Sequence, residues 1–396
     1  MLTNRQIFLQ HIAQTSDFPY LLEISHADGI FLYDSDENPY VDLISGVSVS
    51  NLGHRHPAIV RAVKDQVDRY MHLMVYGEYI QSPQVRLAAL LNEILPPELN
   101  CTYFVNSGSE AVEGALKLAK RYTGRFKTIA FNKAYHGSTG GALSVMGDES
   151  FKNAFRPLIP GTTFLDFNDF AGLDQIDQHT ACVIVEPIQG EGGIILPLDG
   201  FLHEIRDRCD RAGALLIFDE IQTGMGRTGS MFAFQHWETI PDILLLAKGF
   251  GGGMPLGGFI SSSGIMSVFK NNPALGHITT FGGHPVSCAA GLASLEVLLR
   301  EDLIFDVPGK ERLFRDHLKH PAIIEIRGMG LLLAVELGSA DKVQKLISLA
   351  KDDGIITDWF IFHNTAFRIT PPLIITPEQI RDVCSRIEQL LEKCLG

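Results

Sequence analysis

No uninterrupted apolar run reaches the roughly 18 residues that a bilayer-spanning helix needs, so nothing in this 396-residue sequence reads as membrane-embedded. Basic residues are in deficit. Thirty-three Lys and Arg against 46 Asp and Glu give a net charge of −13, with no run of five basic residues. That balance disfavours nucleic acid and anionic membranes as partners. Cysteine is sparse. The six at 101, 182, 209, 288, 384 and 394 form no C-x-x-C pair and read as reduced, mostly buried thiols. The opening MLTNRQIFLQHIAQTSDFP lacks the apolar core of a signal peptide, so a cytoplasmic address is expected. No internal repeat or low-complexity tract is visible. What remains is an ordinary globular balance, 45% hydrophobic and 20% charged, long enough to bury a sizeable core.

Residues 30–44 alternate like a β-hairpin, with Asp36-Glu37-Asn38-Pro39 as its turn. From about 55 to 285, apolar strands alternate with amphipathic helices. Expected strands are 102–106, 128–132, 181–187, 214–220 and 243–247, and their near-continuous apolar character fits a parallel sheet covered on both faces. A helix is expected over 109–122, with Val112, Ala115, Leu116 and Ala119 on one face, Glu110 and Glu113 at its start and Lys120 and Arg121 at its end. After residue 300 come a strand at 330–337 and a final helix opened by Thr376, Pro377 and Gln379. The fold class is therefore α/β: a large domain with a mostly parallel sheet flanked by helices, plus a smaller α+β domain. The boundaries are 1–50 (N-terminal part of the small domain), 51–295 (large domain) and 296–396 (C-terminal small domain).

Ligand groups collect at strand ends in such folds, and three ends stand out. Asn106-Ser107-Gly108-Ser109-Glu110 places glycine and two hydroxyls at a helix N-terminus, which suits an anion such as phosphate and equally a plain helix cap. Phe218-Asp219-Glu220-Ile221-Gln222 ends a strand with a carboxylate that could meet a protonated ring nitrogen, a metal or a ribose, or simply cap a turn. Ala247-Lys248-Gly249-Phe250-Gly251-Gly252-Gly253 ends an apolar strand with a lysine. Burial would lower its pKa and make the amine nucleophilic; the alternative is a lysine that snorkels to solvent. Taken together, a phosphate cradle, an aspartate and a lysine match the three handles of pyridoxal phosphate: one phosphate, one ring nitrogen, one aldehyde.

Eight segments carry a family resemblance: SGVSVSNLGHRHP (45–57), NSGSEAVEGALKLAK (106–120), YHGST (135–139), EPIQGEGG (186–193), FDEIQTGMGRTG (218–229), LLAKGFGGGMPLGG (245–258), TTFGGHP (279–285) and FRITPPL (367–373). In this order they resemble the class III (ornithine/acetylornithine/putrescine type) aminotransferases, pyridoxal-phosphate enzymes of fold type I, which implies a seven-stranded type of sheet in the large domain. The resemblance implies Lys248 as Schiff-base lysine and proton shuttle. It implies Asp219 at the pyridinium nitrogen, Gln222 at the ring 3′-hydroxyl, and Ser107, Gly108 and Ser109 around the phosphate. Tyr135 and Ile221 would cover the two ring faces, with His136 and Glu186 completing the cofactor set. Thr280 would reach the phosphate of a neighbouring subunit's cofactor, which implies a homodimer. Arg368 would bind the substrate α-carboxylate through its two-toothed fork. Glu191 would act as a switch that pairs with Arg368 when an ω-amine is bound. The implied reaction is ping-pong, from an amine donor to a 2-oxo acid such as 2-oxoglutarate, with no metal.

One departure bears on the donor. Ser138 stands where ornithine, acetylornithine and 4-aminobutyrate enzymes commonly carry an arginine for the donor's far carboxylate. A serine forgoes a charge-assisted contact of roughly 1.5–3 kcal/mol. SVMGDESFKNAFRPLIPG (144–161), GEGGIILP (190–197) and GMGRTGSMFA (224–233) also resemble the diamine branch. The expected donor is thus a putrescine-like ω-amine, with acetylornithine, ornithine or 4-aminobutyrate as the alternative. Two rivals are weaker. Gly224-Met225-Gly226-Arg227-Thr228-Gly229 has the spelling of a dinucleotide fingerprint, but no amphipathic helix follows as an NAD-dependent oxidoreductase would need. A non-catalytic pyridoxal-phosphate regulator would have no use for the full set of matched catalytic positions. Asp34-Ser35-Asp36 opens like a calcium loop, yet Pro39 and Ser45 occupy positions that need Gly and Glu, so it reads as a turn. His54 and His56 have no third ligand placed by sequence.

Overall fold

The apolar runs form the interior of one large sheet. The computed structural model describes residues 2–17 and 19–395. Its seven strands lie in the spatial order Cys101–Val105, Gly257–Ser261, Ile243–Leu246, Leu215–Asp219, Thr180–Val185, Lys127–Phe131 and Thr162–Leu165. Gly257–Ser261 is antiparallel to both its neighbours. The remaining pairs are parallel, so the mostly parallel sheet expected from the sequence is present. Every residue of Thr180–Val185, Leu215–Asp219 and Ile243–Leu246 is buried, as covering by helices on both faces demands. Each aliphatic side chain so removed from water contributes roughly 1.5–3 kcal/mol. Two strands escape the sequence reading. Thr162–Leu165 is a four-residue edge strand, and Gly257–Ser261 opens with two glycines, so neither shows a strong β signal.

The helix Gly108–Thr123 supplies one edge of the site. The Ser107 hydroxyl accepts from the Glu110 amide at 3.2 Å, and Gly124 ends the helix in the left-handed region at φ 68°. Its apolar stripe packs on Cys182, Ile184, Ile217 and Leu245 of the sheet.

Two four-stranded sheets complete the fold. One runs Glu325–Met329, Leu332–Glu336, His363–Ile369, Trp359–Phe360, all antiparallel. The expected strand at 330–337 is shorter because Gly330, at φ 62°, forms the turn before it. The other sheet contains the N-terminal hairpin, Phe31–Asp34 with Pro39–Asp42, whose last strand pairs in parallel with Ile355–Ile356. Pro39 belongs to the strand, not to the turn as the sequence suggested. Asp34 Oδ1 builds the turn by accepting from the Asp36 and Asn38 amides, both at 2.9 Å. The final helix, Pro377–Leu395, opens with the expected box: the Thr376 amide donates to Gln379 Oε1 at 2.9 Å, and the Gln379 amide to Thr376 Oγ1 at 3.3 Å.

Candidate active site

A cavity of about 370 Å³ opens where the ends of Leu215–Asp219 and Ile243–Leu246 face the start of Gly108–Thr123. Ser107, Gly108, Ser109, Tyr135 and His136 line one side of it. Glu186, Glu191, Asp219, Ile221, Gln222 and Lys248 line the rest. Eleven of the thirteen residues singled out from the sequence thus meet in one place.

Lys248 follows the buried strand Ile243–Leu246 with φ at 50°, in the left-handed region that non-glycine residues avoid. Such strain costs about 1–3 kcal/mol and persists where the surroundings over-determine it. Gly249 cannot carry a side chain here, because a Cβ would sit 2.8 Å from Asn51 Nδ2. Burial draws the Lys248 ammonium below its ordinary value, against the charges of Glu191, Asp219 and Glu186. The amine is therefore available as a nucleophile or base at lower pH than a surface lysine.

Asp219 is fixed at both oxygens. Oδ2 lies 2.7 Å from His136 Nδ1, and Oδ1 accepts from the Ile221 amide at 3.1 Å. Burial alone would lower the His136 pKa, yet the hydrogen bond and charge of Asp219, with Glu186 behind, raise it overall. Burial and the Asp219 charge push the Glu186 carboxyl up to about 7, although Glu186 accepts from the Gly190 and Tyr135 amides. At the helix start, Gly108 leaves room for Ile221, whose Cδ1 would lie 2.8 Å from a Cβ there and would have to shift. Gly137, at φ 120°, lets the chain pass Ser109, whose Oγ accepts from the Ser138 amide at 3.3 Å.

Arg368 lies behind Glu191 and is 2% exposed. Its two terminal nitrogens donate to the two Glu191 oxygens at 3.0 and 2.9 Å, and Nε donates to Asp358 Oδ1 at 2.9 Å. Burial is outweighed by the Arg368 charge at Glu191, which stays below the usual carboxylate range. At Asp358 burial wins and the carboxyl rises to about 6. Asp358 was missed from the sequence: TDWF (357–360) has no marker, and only the register of His363–Ile369 brings it to Arg368. Thr280 is exposed and outside the cavity lining, so one chain alone does not bring it to the site.

The decoys resolve into structure. Arg227 of the G-x-G-x-x-G string is fully buried and donates to the Leu331 and Pro371 carbonyls and to Asn51. His54 Nε2 lies 2.9 Å from Asp42 Oδ2, as a hydrogen-bonded loop residue.

The family description "Aminotransferase class-III" matches residues 12–391. The chain belongs to the class III aminotransferases. Among its relatives is the acetylornithine aminotransferase of Methanopyrus kandleri, 39% identical with 96% of each chain covered. The putrescine aminotransferase of Pectobacterium atrosepticum is 40% identical over 92% of this chain and 81% of that one. A second acetylornithine aminotransferase, from Caldanaerobacter subterraneus, is 35% identical over 94% and 95%. The solved ornithine aminotransferase of Toxoplasma gondii, described with pyridoxal phosphate at its active site, superposes with a TM-score of 0.91 at 33% identity, over 98% and 94% of the chains.

This aminotransferase is pyridoxal-phosphate dependent, and the cavity suits that cofactor. Ser107 and Ser109 at a helix N-terminus, the carboxylate of Asp219 and the amine of Lys248 all line it. Gln222 Nε2 and His136 Nε2 are buried without a hydrogen-bond partner among the described residues, which leaves two donors or acceptors for a bound polar ring.

Proposed function

We propose that this enzyme transfers the terminal amino group of an ornithine-type donor, N-acetylornithine foremost, to 2-oxoglutarate. The acetylornithine relatives support this alternative better than the putrescine-like donor expected from the sequence. The observation that supports the acceptor is Arg368, a buried guanidinium held by two hydrogen bonds behind the cavity-lining Glu191.

Pyridoxal phosphate, when bound, supplies an aldehyde that takes up the amino group and a ring that accepts electrons. Ser107, Gly108 and Ser109 hold its phosphate with helix N–H groups. Asp219, fixed by His136, keeps the ring nitrogen protonated, and Gln222 faces the ring hydroxyl. Tyr135 and Ile221 cover the ring faces, and Glu186 tethers the Tyr135 and Gly190 amides beside them. Lys248 holds the cofactor and then moves a proton at Nζ from the donor's amine-bearing carbon. Arg368 binds the α-carboxylate of 2-oxoglutarate once Glu191 swings aside. Donor and acceptor thus take turns in one cavity, in a ping-pong sequence. Residues 1–50 and 296–396 form the smaller unit and 51–295 the larger, a division supported by the pairing of Ile355–Ile356 with Pro39–Asp42. We also place the enzyme in the cytoplasm as a homodimer, Thr280 reaching the partner's cofactor. Exposed Ile80 (94%) and Phe281 (53%) support such an interface.

The test is a donor panel of N-acetylornithine, ornithine, 4-aminobutyrate and putrescine with 2-oxoglutarate, read as glutamate formed. N-acetylornithine is expected to give the highest kcat/KM. No glutamate from any ω-amine would overturn the reading. Putrescine is the second reading, favoured by Ser138, which offers no cation for a donor carboxylate; a putrescine rate above all others would select it.

A further inference from the structure

The loop that carries Glu191 is held from two sides. On the sheet side, the Gly190 amide donates to Glu186 Oε1 at 3.1 Å. The Gly193 and Ile194 amides close the turn by donating to the Gly190 carbonyl, both at 3.1 Å. On the other side stands Arg327, from Glu325–Met329 of the smaller sheet. Its Nε donates to the Gly193 carbonyl at 2.5 Å, and its Nη1 lies 3.0 Å from Glu336 Oε2. Glu336 is in turn 2.5 Å from His363 Nε2. Burial opposes ionisation of Glu336, yet its bonds from His363, Thr365, Gly338 and Arg327 hold it down at about 2, so it remains an anion that orients Arg327. Gly193 has φ 94°, and a Cβ there would lie 2.8 Å from Arg327 Nη2 and 2.7 Å from His363 Cδ2. Arg327 and His363 therefore press directly on the backbone two residues beyond Glu191. The Glu191 carbonyl is tied to the same sheet by the Phe362 amide at 3.1 Å.

We propose that Arg327 is the positioning residue that seats the Glu191 loop and biases Glu191 onto Arg368. The proposal rests on the reading of Glu191 as a gate. Arg327 is not among the residues that line the cavity, and among the described residues its polar partners are Gly193, Glu325 and Glu336 rather than Arg368. It acts by clamping the Gly193 carbonyl: with the Glu191 carbonyl tied as well, the backbone is seated, the side chain of Glu191 is the part left to move, and the paired position, where its Oε2 also accepts from the Ile361 amide at 3.2 Å, is the resting one. A loop without the clamp leaves Arg368 more open to a carboxylate ligand.

The experiment measures binding of glutarate, a five-carbon dicarboxylate without an amino or oxo group, to the holoenzyme by calorimetry. Arg327→Met removes a charge-assisted hydrogen bond, and glutarate is expected to bind about tenfold more tightly. Arg327→Lys keeps the charge but cannot span the Gly193 carbonyl and Glu336 together, so a smaller shift in the same direction is expected. Glu191→Gln should tighten glutarate by itself. Arg327→Met added to Glu191→Gln should then bring no further change, because the two act through one carboxylate. Hydrogen exchange at the 190–194 amides should accelerate in the Arg327 variants. Unchanged or weaker glutarate binding in a folded Arg327 variant overturns the inference. If the Met variant fails to fold, the Lys variant decides by the same criterion. If Glu191→Gln leaves glutarate affinity unmoved, the gate itself falls. If Glu191→Gln shifts it and the Arg327 variants do not, only the role of Arg327 falls.

Discussion

Ser138→Arg puts the donor assignment to its hardest test. Ser138 is exposed beside two cavity-lining residues, its amide on Ser109 Oγ at 3.3 Å and its hydroxyl 3.4 Å from the Tyr135 hydroxyl. The lost hydroxyl contact is long and costs at most about 1.5 kcal/mol. The gained guanidinium could grip a donor carboxylate with roughly 1.5–3 kcal/mol, or about 10- to 150-fold. Because the position is exposed, solvent screening places the outcome near the lower limit, about tenfold. The assay follows cofactor absorbance in single turnovers with N-acetylornithine and with putrescine. The ratio of their kcat/KM values should move about tenfold toward N-acetylornithine, and most of the change should appear in KM. An unmoved ratio in a folded, cofactor-loaded variant would refute the idea that this position faces the donor's carboxylate.

Lys248→Ala should retain some cofactor non-covalently, lose the borohydride-trappable bond and lose nearly all turnover; full activity would refute its role. Asp219→Asn removes the charge that holds the His136 pKa up, so the His136 titration followed by NMR should move to lower pH as turnover falls. Glu220 is raised to about 7 by burial, although it accepts from Ala233, Phe234 and Thr223. Its folded form binds the proton more tightly than its unfolded form. That stability is present below the ordinary pKa of 4.5 and lost as pH rises toward 7, about 3 kcal/mol in all. Denaturant melts at pH 5 and pH 8 should therefore show a smaller difference for Glu220→Gln than for the parent, and equal differences would refute the account.

The sheet was legible because its central strands are buried on both faces, so Leu244, Leu245 and Leu246 must all be apolar whichever face they meet. Gly257–Ser261 was not, since its place between two antiparallel neighbours depends on partners more than ten residues away. The cofactor end of the site was legible because glycine, aspartate and lysine occupy strand ends, where local sequence sets geometry. The carboxylate end was only half legible. Arg368 and Glu191 were assignable through a family pattern, whereas Asp358 and Arg327 act by cross-strand register that no local motif records. Lys248 could be named from sequence, but its positive φ could not, because that strain is imposed by tertiary packing.

In the proposed gate, the electrostatics of that carboxylate end would connect the fold to substrate choice. A buried guanidinium stripped of one partner is costly, on the order of 3–5 kcal/mol. If Glu191 leaves Arg368, Asp358 remains on Nε, but the two terminal nitrogens that Glu191 held lose their carboxylate. An incoming α-carboxylate can occupy the same two nitrogens that Glu191 vacates, at 3.0 and 2.9 Å, and restores the balance. A terminal amine brings no such charge, so with that ligand Glu191 is better left in place. Discrimination by this proposed gate would need no second pocket. It would need one arginine too deeply buried to stand alone and one glutamate on a glycine-rich turn able to yield to a competitor of its own kind.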